Sequence, residues 1–355
     1  MISILKHLEL LTDDVYQLLT ETAEELWSDL NPKKINGRYS THALISRVQD
    51  LRPELQNARH VALVGAAVAN RQLAYLDYIS NEAVLKNIIT AVPQELDDVI
   101  TKANSIIKPA DFYTITNDKI HPLSFGNRLL SHAFRYANYR SSDNCIKRYR
   151  KLGFDGATCP YCNETTMRIV PYPDENKIDQ KMLFDIDHFY SKKRYPYLAL
   201  SFYNHIPSCK SCNQAFKGDT EFTFSTHIHP YHRCFDSLYN FQLNHGVLIN
   251  EPPYLVGIRK KLEFDDKLLT DLKIEDRYRG NLEPARISDL VSILSKYSHI
   301  LRDGAENEDD RARLKERLED FGIIYYQNRI LKRGYSKLLR DTISMFDPDN
   351  TIGLI

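Results

Sequence analysis

Two cysteine pairs, Cys159-Pro-Tyr-Cys162 and Cys209-Lys-Ser-Cys212, are separated by tens of residues. A CxxC turn points both sulfurs to one side, and two such turns that converge supply four thiolates to one tetrahedral metal ion. That convergence requires the chain from Ala157 to Asn213 to leave the site and return to it. Zn²⁺ suits a closed four-thiolate site, and such an ion is structural, so its binding contributes to folding rather than to chemistry. A redox role would need only one pair. The remaining cysteines, Cys145 and Cys234, are expected to be thiols that pack as small hydrophobes in a reducing compartment.

The 355 residues suffice for two or three domains. A hydrophobic share of 43% and a charged share of 26% are those of an ordinary globular protein. The longest apolar run, Val61–Ala69, is too short to span a bilayer, and the acids Glu9, Asp13, Asp14, Glu21, Glu24 and Glu25 argue against a secretory signal. A cytoplasmic location without membrane contact is therefore expected. The 47 basic and 47 acidic residues cancel, unlike a dedicated nucleic-acid binder. Cations nevertheless gather locally. Arg128, Arg135, Arg140, Lys147, Arg148, Arg150 and Lys151 are interleaved with Phe134, Tyr136, Tyr139 and Tyr149. This segment reads either as a phosphate-binding patch or as a solvated helix face packed by its aromatics.

Three regions follow from the texture of the chain. Residues 1–115 read as helical, with Val15, Leu18, Leu19, Ala23, Leu26 and Leu30 at helical spacing and further helices over 41–52, 58–80 and 82–106. Residues 116–240 concentrate aromatics, prolines and cysteines, with strand-like runs at Met167–Val170 and Met182–Ile186 around a turn-rich stretch from Pro171 to Gln180. Residues 241–355 return to helical patterns, including Asp289–Arg302. An acidic linker is expected over Gly304–Asp310, and Arg329, Lys332, Arg333, Lys337 and Arg340 fall on one helical face, most simply a solvated one. The whole is α+β.

Between and just beyond the cysteine pairs stand Asp185, Asp187, His188, Asn204 and Asn213. An acid, a histidine and an amide oxygen are the ingredients of metal-assisted phosphodiester hydrolysis. The segments Asp185-Ile-Asp187-His188-Phe189, Tyr195 to Asn204, and Cys212-Asn213-Gln-Ala-Phe-Lys217-Gly-Asp219 resemble the motif of HNH endonucleases. The resemblance is nearest to zinc-knuckled members of bacterial mobile-element and anti-phage systems such as Septu, and it covers residues 155–235 only. It implies a ββα-metal core with a four-cysteine zinc clamp, flanked by mainly helical regions.

By that resemblance His188 is the general base. Asp187 and Asn213 hold a catalytic Mg²⁺ or Mn²⁺, and Asn204 holds the loop that orients the base. Asp185 supports the same site. The residues themselves add nearby cations, Lys192, Lys193, Arg194 and Lys217, which read either as contacts for a nucleic-acid backbone or, for Lys192–Arg194, as an ordinary exposed loop. The implied substrate is double-stranded DNA, cut to a 5′-phosphate and a 3′-hydroxyl, with an ATPase as partner protein. The motif departs from the family in ending on Asn213 rather than histidine and in lacking the proline often found soon after His188. The alternatives are a catalytically silent zinc module that binds nucleic acid or assists assembly, and a toxin nuclease acting on RNA. His227, His229 and His232 lie close enough in sequence to suggest a second metal site, but they read more simply as a packed turn.

Overall fold

The computed structural model describes residues 3–174, 177–243, 256–261, 266–281, 284–303 and 308–354. It is a mixed α/β protein, mainly helical, with small antiparallel sheets and a four-cysteine cluster. The helix at Val15–Leu30 follows the sequence spacing closely. The Asp14 side chain accepts from the Gln17 amide at 2.9 Å as its N-cap, and Val15, Leu19, Ala23, Leu26 and Leu30 are buried.

The helix expected over 58–80 is two helices, Ala58–Val64 and Ala66–Ile79, because Gly65 adopts φ +86°. Their apolar junction lies on the surface, with Leu63 76% exposed. The segment 82–106 likewise divides, at Pro93, into Glu82–Thr90 and Leu96–Asn104, joined by a short 3₁₀ turn. Pro53 sits in the first turn of a helix, Arg52–Leu55, where its missing N–H costs nothing.

All the described strands pair as two-stranded antiparallel hairpins. They are β1 (Tyr113–Thr116) with β2 (Lys119–Pro122), β3 (Ile169–Asp174) with β4 (Lys177–Met182), β5 (Asp185–His188) with β6 (His205–Ser208), and β7 (Tyr239–Leu243) with β8 (Val256–Lys260). The stretch from Pro171 to Gln180, expected as turn, is thus mostly strand. Each of its two prolines can face the unpaired side of a two-stranded ribbon, where no ladder donor is missed. In β5 and β6, His188 lies opposite His205 and Asp187 opposite Ile206. Cys209 follows β6 directly, and Ser211–Lys217 then forms a π-helical turn closed by the Gly218 amide on Asn213 O at 3.1 Å.

Contacts cross the region boundaries at 115 and 240. The Thr158 amide donates to Leu331 O at 2.7 Å, and the Asn163 side chain donates to Thr158 Oγ1, Ile330 O and Arg333 O. The basic segment is also largely spent within the fold. Arg148 pairs with Asp29 at 2.5 Å, Lys151 with Glu25 at 2.6 Å, Arg150 with Asp155 at 3.5 Å, and Arg128 with Glu54. Most of these cations serve helix docking, not a free phosphate patch.

The C-terminal cations are corrected in the same way. Lys337 is fully buried between Asp236 and Asp341, and Arg340 donates to the Ile324 and Tyr325 carbonyls. Buried charge is tolerable there only because it is paired. The linker expected over Gly304–Asp310 lies outside the described residues at 304–307, while Glu308–Asp310 open the helix Glu308–Phe321, where acids favour the N-terminal end. The helix expected at Asp289–Arg302 is two, Pro284–Lys296 and Ser298–Asp303, burying Leu290, Leu294 and Leu301.

Candidate functional site: a four-cysteine clamp beside a histidine strand

The turns at Cys159–Cys162 and Cys209–Cys212 do converge. All four sulfurs lie within 4.8 Å of one another, and the side chains are buried. A tetrahedral Zn²⁺ with Zn–S of about 2.3 Å places sulfurs roughly 3.8 Å apart, and Cys162 Sγ and Cys209 Sγ stand 3.9 Å apart. The donor set therefore fits a metal ion such as zinc. Burial pushes the Cys159 thiol well above the ordinary thiol range, while hydrogen bonds among the sulfurs hold Cys162 and Cys209 below it, a mixture that a bound cation would turn to thiolates.

Support reaches this cluster from the C-terminal region. Arg277 donates to Cys212 Sγ at 3.2 Å and pairs with Glu164 at 2.6 Å, and Tyr278 Oη donates to Cys162 O at 2.5 Å. A guanidinium on a thiolate offsets part of the negative charge of a Zn(Cys)₄ centre. Nothing in the sequence pattern marked Arg277.

Strand alternation decides what β5 presents. Ile186 and His188 face one side, Asp185 and Asp187 the other. His188 is 6% exposed, with its ring 4.3 Å from the Tyr136 ring and 5.1 Å from the His205 ring. Its Nε2 lies 3.1 Å from Ala199 O. A carbonyl can only accept, so Nε2 carries the proton and Nδ1 keeps its lone pair. Burial first, then Lys192 and His205, hold the imidazole well below its ordinary pKa, so it is neutral at pH 7.

His205 uses the same acceptor, its Nε2 2.9 Å from Ala199 O. Lys192 Nζ lies 4.4 Å from the centre of the Tyr136 ring and, among the described residues, has no carboxylate partner. The neighbouring cations differ. Lys193 pairs with Asp219 at 2.6 Å and Arg194 with Glu221 at 3.4 Å.

Asn204 is fully buried and spans the loop between β5 and β6. It accepts from the Tyr190 amide at 2.7 Å and donates to Tyr190 O and Leu198 O at 3.0 and 3.1 Å.

The acids lie across the strand. Asp185 Oδ2 accepts from Asn213 Nδ2 at 2.9 Å and from Gln214 Nε2 at 2.7 Å. Asp187 is not joined to Asn213. Lys217 Nζ reaches its two oxygens at 2.8 and 2.7 Å, and Tyr161 Oη donates to Oδ2 at 2.8 Å. The same ammonium reaches His188 O at 2.5 Å and Phe189 O at 3.1 Å. Lys217 is therefore not a surface cation for a nucleic-acid backbone; it ties the π-helical turn to the end of β5. Breaking a buried pair strands one charge and costs about 3–5 kcal/mol. Lys217→Met should lose about that much stability, and adding Asp187→Asn should recover part of it, as read from urea unfolding midpoints. A single variant as stable as the wild type would contradict the pairing.

The histidines at 227–232 do not gather on a metal. His227 stacks on Phe222 with ring centres 3.9 Å apart and bonds Asp271 at 3.0 Å, while His232 meets Gln94 at 2.8 Å. Among the described residues, the four cysteines are the one metal-competent group of His, Cys, Asp or Glu side chains.

Buried histidines make stability depend on pH. Burial lowers His7 and His205 to about 4 and His229 to about 3. In the unfolded chain such rings protonate near about 6.5. Between these values the unfolded state binds more protons, so stability falls as pH drops from about 6.5 toward about 4. Acidification from pH 7 to pH 5 should cost on the order of a few kcal/mol in a guanidinium unfolding midpoint. An unchanged midpoint would contradict neutral buried rings.

No helix among the described residues is long and apolar enough to cross a membrane. No protein-family model, no curated protein and no solved structure matches this chain.

Proposed function

We propose that this chain is a metal-dependent HNH-type endonuclease with a ββα core formed by β5, β6 and Ser211–Lys217, acting on double-stranded DNA. The observation that carries the reading is His188. It closes a hairpin strand as a neutral imidazole, Nε2–H is spent on Ala199 O, and Nδ1 is left as a base beside the unpaired ammonium of Lys192. In this reading Nδ1 takes the proton of the attacking water, Lys192 attracts the phosphate, and Tyr136, His205 and Asn204 keep the ring and its loop in place.

The oxygen donors of Asp185, Asp187 and Asn213 suit Mg²⁺ or Mn²⁺ in kind. Asp185 and Asn213 already adjoin, whereas Asp187 can join them only where Lys217 gives way. When bound, such an ion supplies charge neutralisation at the phosphate and the leaving oxygen. The four-cysteine cluster keeps Asn213 at the start of the π-helical turn, one residue beyond Cys212.

A second reading has its own observation. The saturation of Asp187 by Lys217 and Tyr161 favours a catalytically silent zinc module that binds nucleic acid or assists assembly. Purified chain incubated with plasmid and with tRNA in Mg²⁺ or Mn²⁺ separates these readings and also distinguishes a DNA nuclease from an RNA-directed toxin. Identical outcomes for wild type and His188→Gln on every substrate would sink the enzyme. The ATPase partner belongs to the same proposal. The exposed apolar junction around Leu63 offers it a surface, and co-purification with such a protein tests it.

A further inference from the structure

A second cationic place adjoins the helix Tyr136–Arg140. It is a cavity of about 340 Å³ between the N-terminal helices and the turn at Phe134–Arg135. Leu30, Pro32 and Phe134 form its apolar wall, and Asn138 and Asn144 stand at its rim. Two guanidiniums face into it, those of Arg47 and Arg135.

Arg47 is 8% exposed and spends Nε on Ala133 O at 2.7 Å and Nη1 on His42 O, which leaves Nη2 unspent. Arg135 spends only Nε, on His132 O at 3.0 Å, so both its Nη groups are unspent. Neither arginine has a carboxylate partner among the described residues. The one acid on the wall, Asp29, is taken by Arg148 at 2.5 Å.

Several other arginines of the fold behave differently. Arg71, Arg128, Arg148 and Arg277 each hold a carboxylate. Two like charges share this cavity instead, and burial together with Arg135 lowers Arg47 to about 10. Arg135 is moreover held at φ +46°, a left-handed backbone that non-glycine residues adopt uncommonly.

We propose that this cavity binds one nucleotide unit, its phosphate held between Arg47 and Arg135. Planar forked guanidiniums match phosphate oxygens, the apolar wall suits a base or sugar, and the two rim amides can meet the edge of a base. The volume stands at the small end of ligand pockets, about 300–1,000 Å³, which is room for one nucleotide and no more. The helix carrying Tyr136 against His188 also carries Tyr139, which lines the cavity and stacks on His205 with ring centres 5.7 Å apart. A nucleotide here would therefore sit beside the histidine strand, either as a free ligand or as one residue of a bound strand. The inference does not depend on cleavage.

Calorimetric titration of the full chain with AMP and with a 5′-phosphorylated single-stranded hexanucleotide tests it. At least one of the two should bind, with affinity lowered at least tenfold in Arg135→Gln and in Arg47→Lys. Thermal midpoints would establish that each variant is folded, and Arg135→Gln serves if Arg47→Lys is not. Binding of AMP marks a free-nucleotide site, and binding of the hexanucleotide alone marks a strand residue; either supports the site. Absence of binding by both at millimolar concentration, or an affinity unaltered by Arg135→Gln, overturns it. Binding that persists in a chain that cuts nothing would leave this site standing while the nuclease reading fell.

Discussion

Replacing His188 by glutamine is expected to lower plasmid cleavage by about 10²–10⁴-fold, the usual value of a positioned general base. The expectation rests on which nitrogen is spent. Glutamine can still donate from its amide nitrogen to Ala199 O, where His188 Nε2 now lies at 3.1 Å, but its amide oxygen is not a base that could replace Nδ1. The variant should keep its metal content and much of its stability. His188→Ala should lose the same activity and, in addition, stability, because it leaves a hole against the Tyr136 and His205 rings. Activity of His188→Gln within a factor of two of the wild type, measured as initial rates on plasmid in Mg²⁺ or Mn²⁺, would remove the histidine from the reaction.

Cys209→Ser should be the most damaging substitution for the fold. Zinc binding in zinc-finger peptides is worth about 10–16 kcal/mol, as large as the whole stability of an ordinary domain at about 5–15 kcal/mol. The wild-type chain should carry about one zinc, and the variant should lose it together with its cooperative unfolding transition. The damage should spread, because Arg277 and Tyr278 rest on the cluster and Asn163, one residue beyond Cys162, anchors Ile330, Arg333 and Lys337. Metal analysis by mass spectrometry and a denaturant curve read both effects. A variant that retained zinc and full stability would refute the cluster. Together, the two substitutions separate the clamp from the proposed chemistry, one removing the fold and the other the proposed proton acceptor within it.

Much of the helical framework could be read from the residues, since the apolar spacing from Val15 to Leu30 leaves one face to bury and Asp14 caps its start. Breaks were less legible. Gly65 ends a helix only because its φ is positive, and a glycine within a helical pattern does not announce that choice. The strands β3 and β4 were hidden by Pro171 and Pro173, which a two-stranded ribbon admits and a wider sheet would not. Charge was the least legible property. Arg148, Lys151, Lys217 and Lys337 look alike in sequence, yet each meets a distant acid that only folding brings near.

The clamp was legible in the residues. Each tight CxxC turn aims its two sulfurs to one side, so that four meet once the chain returns. The sequence also set the alternation that puts Asp187 and His188 on opposite faces of β5, because a strand has a period of two. What meets each face came only with folding: Ala199 O, Tyr136 and Lys192 at His188, and Tyr161 and Lys217 at Asp187. Those partners lie 4 to 52 residues away along the chain. Their identity is set by long-range packing, in which burial makes pairing a charge or donor compulsory but does not name the partner.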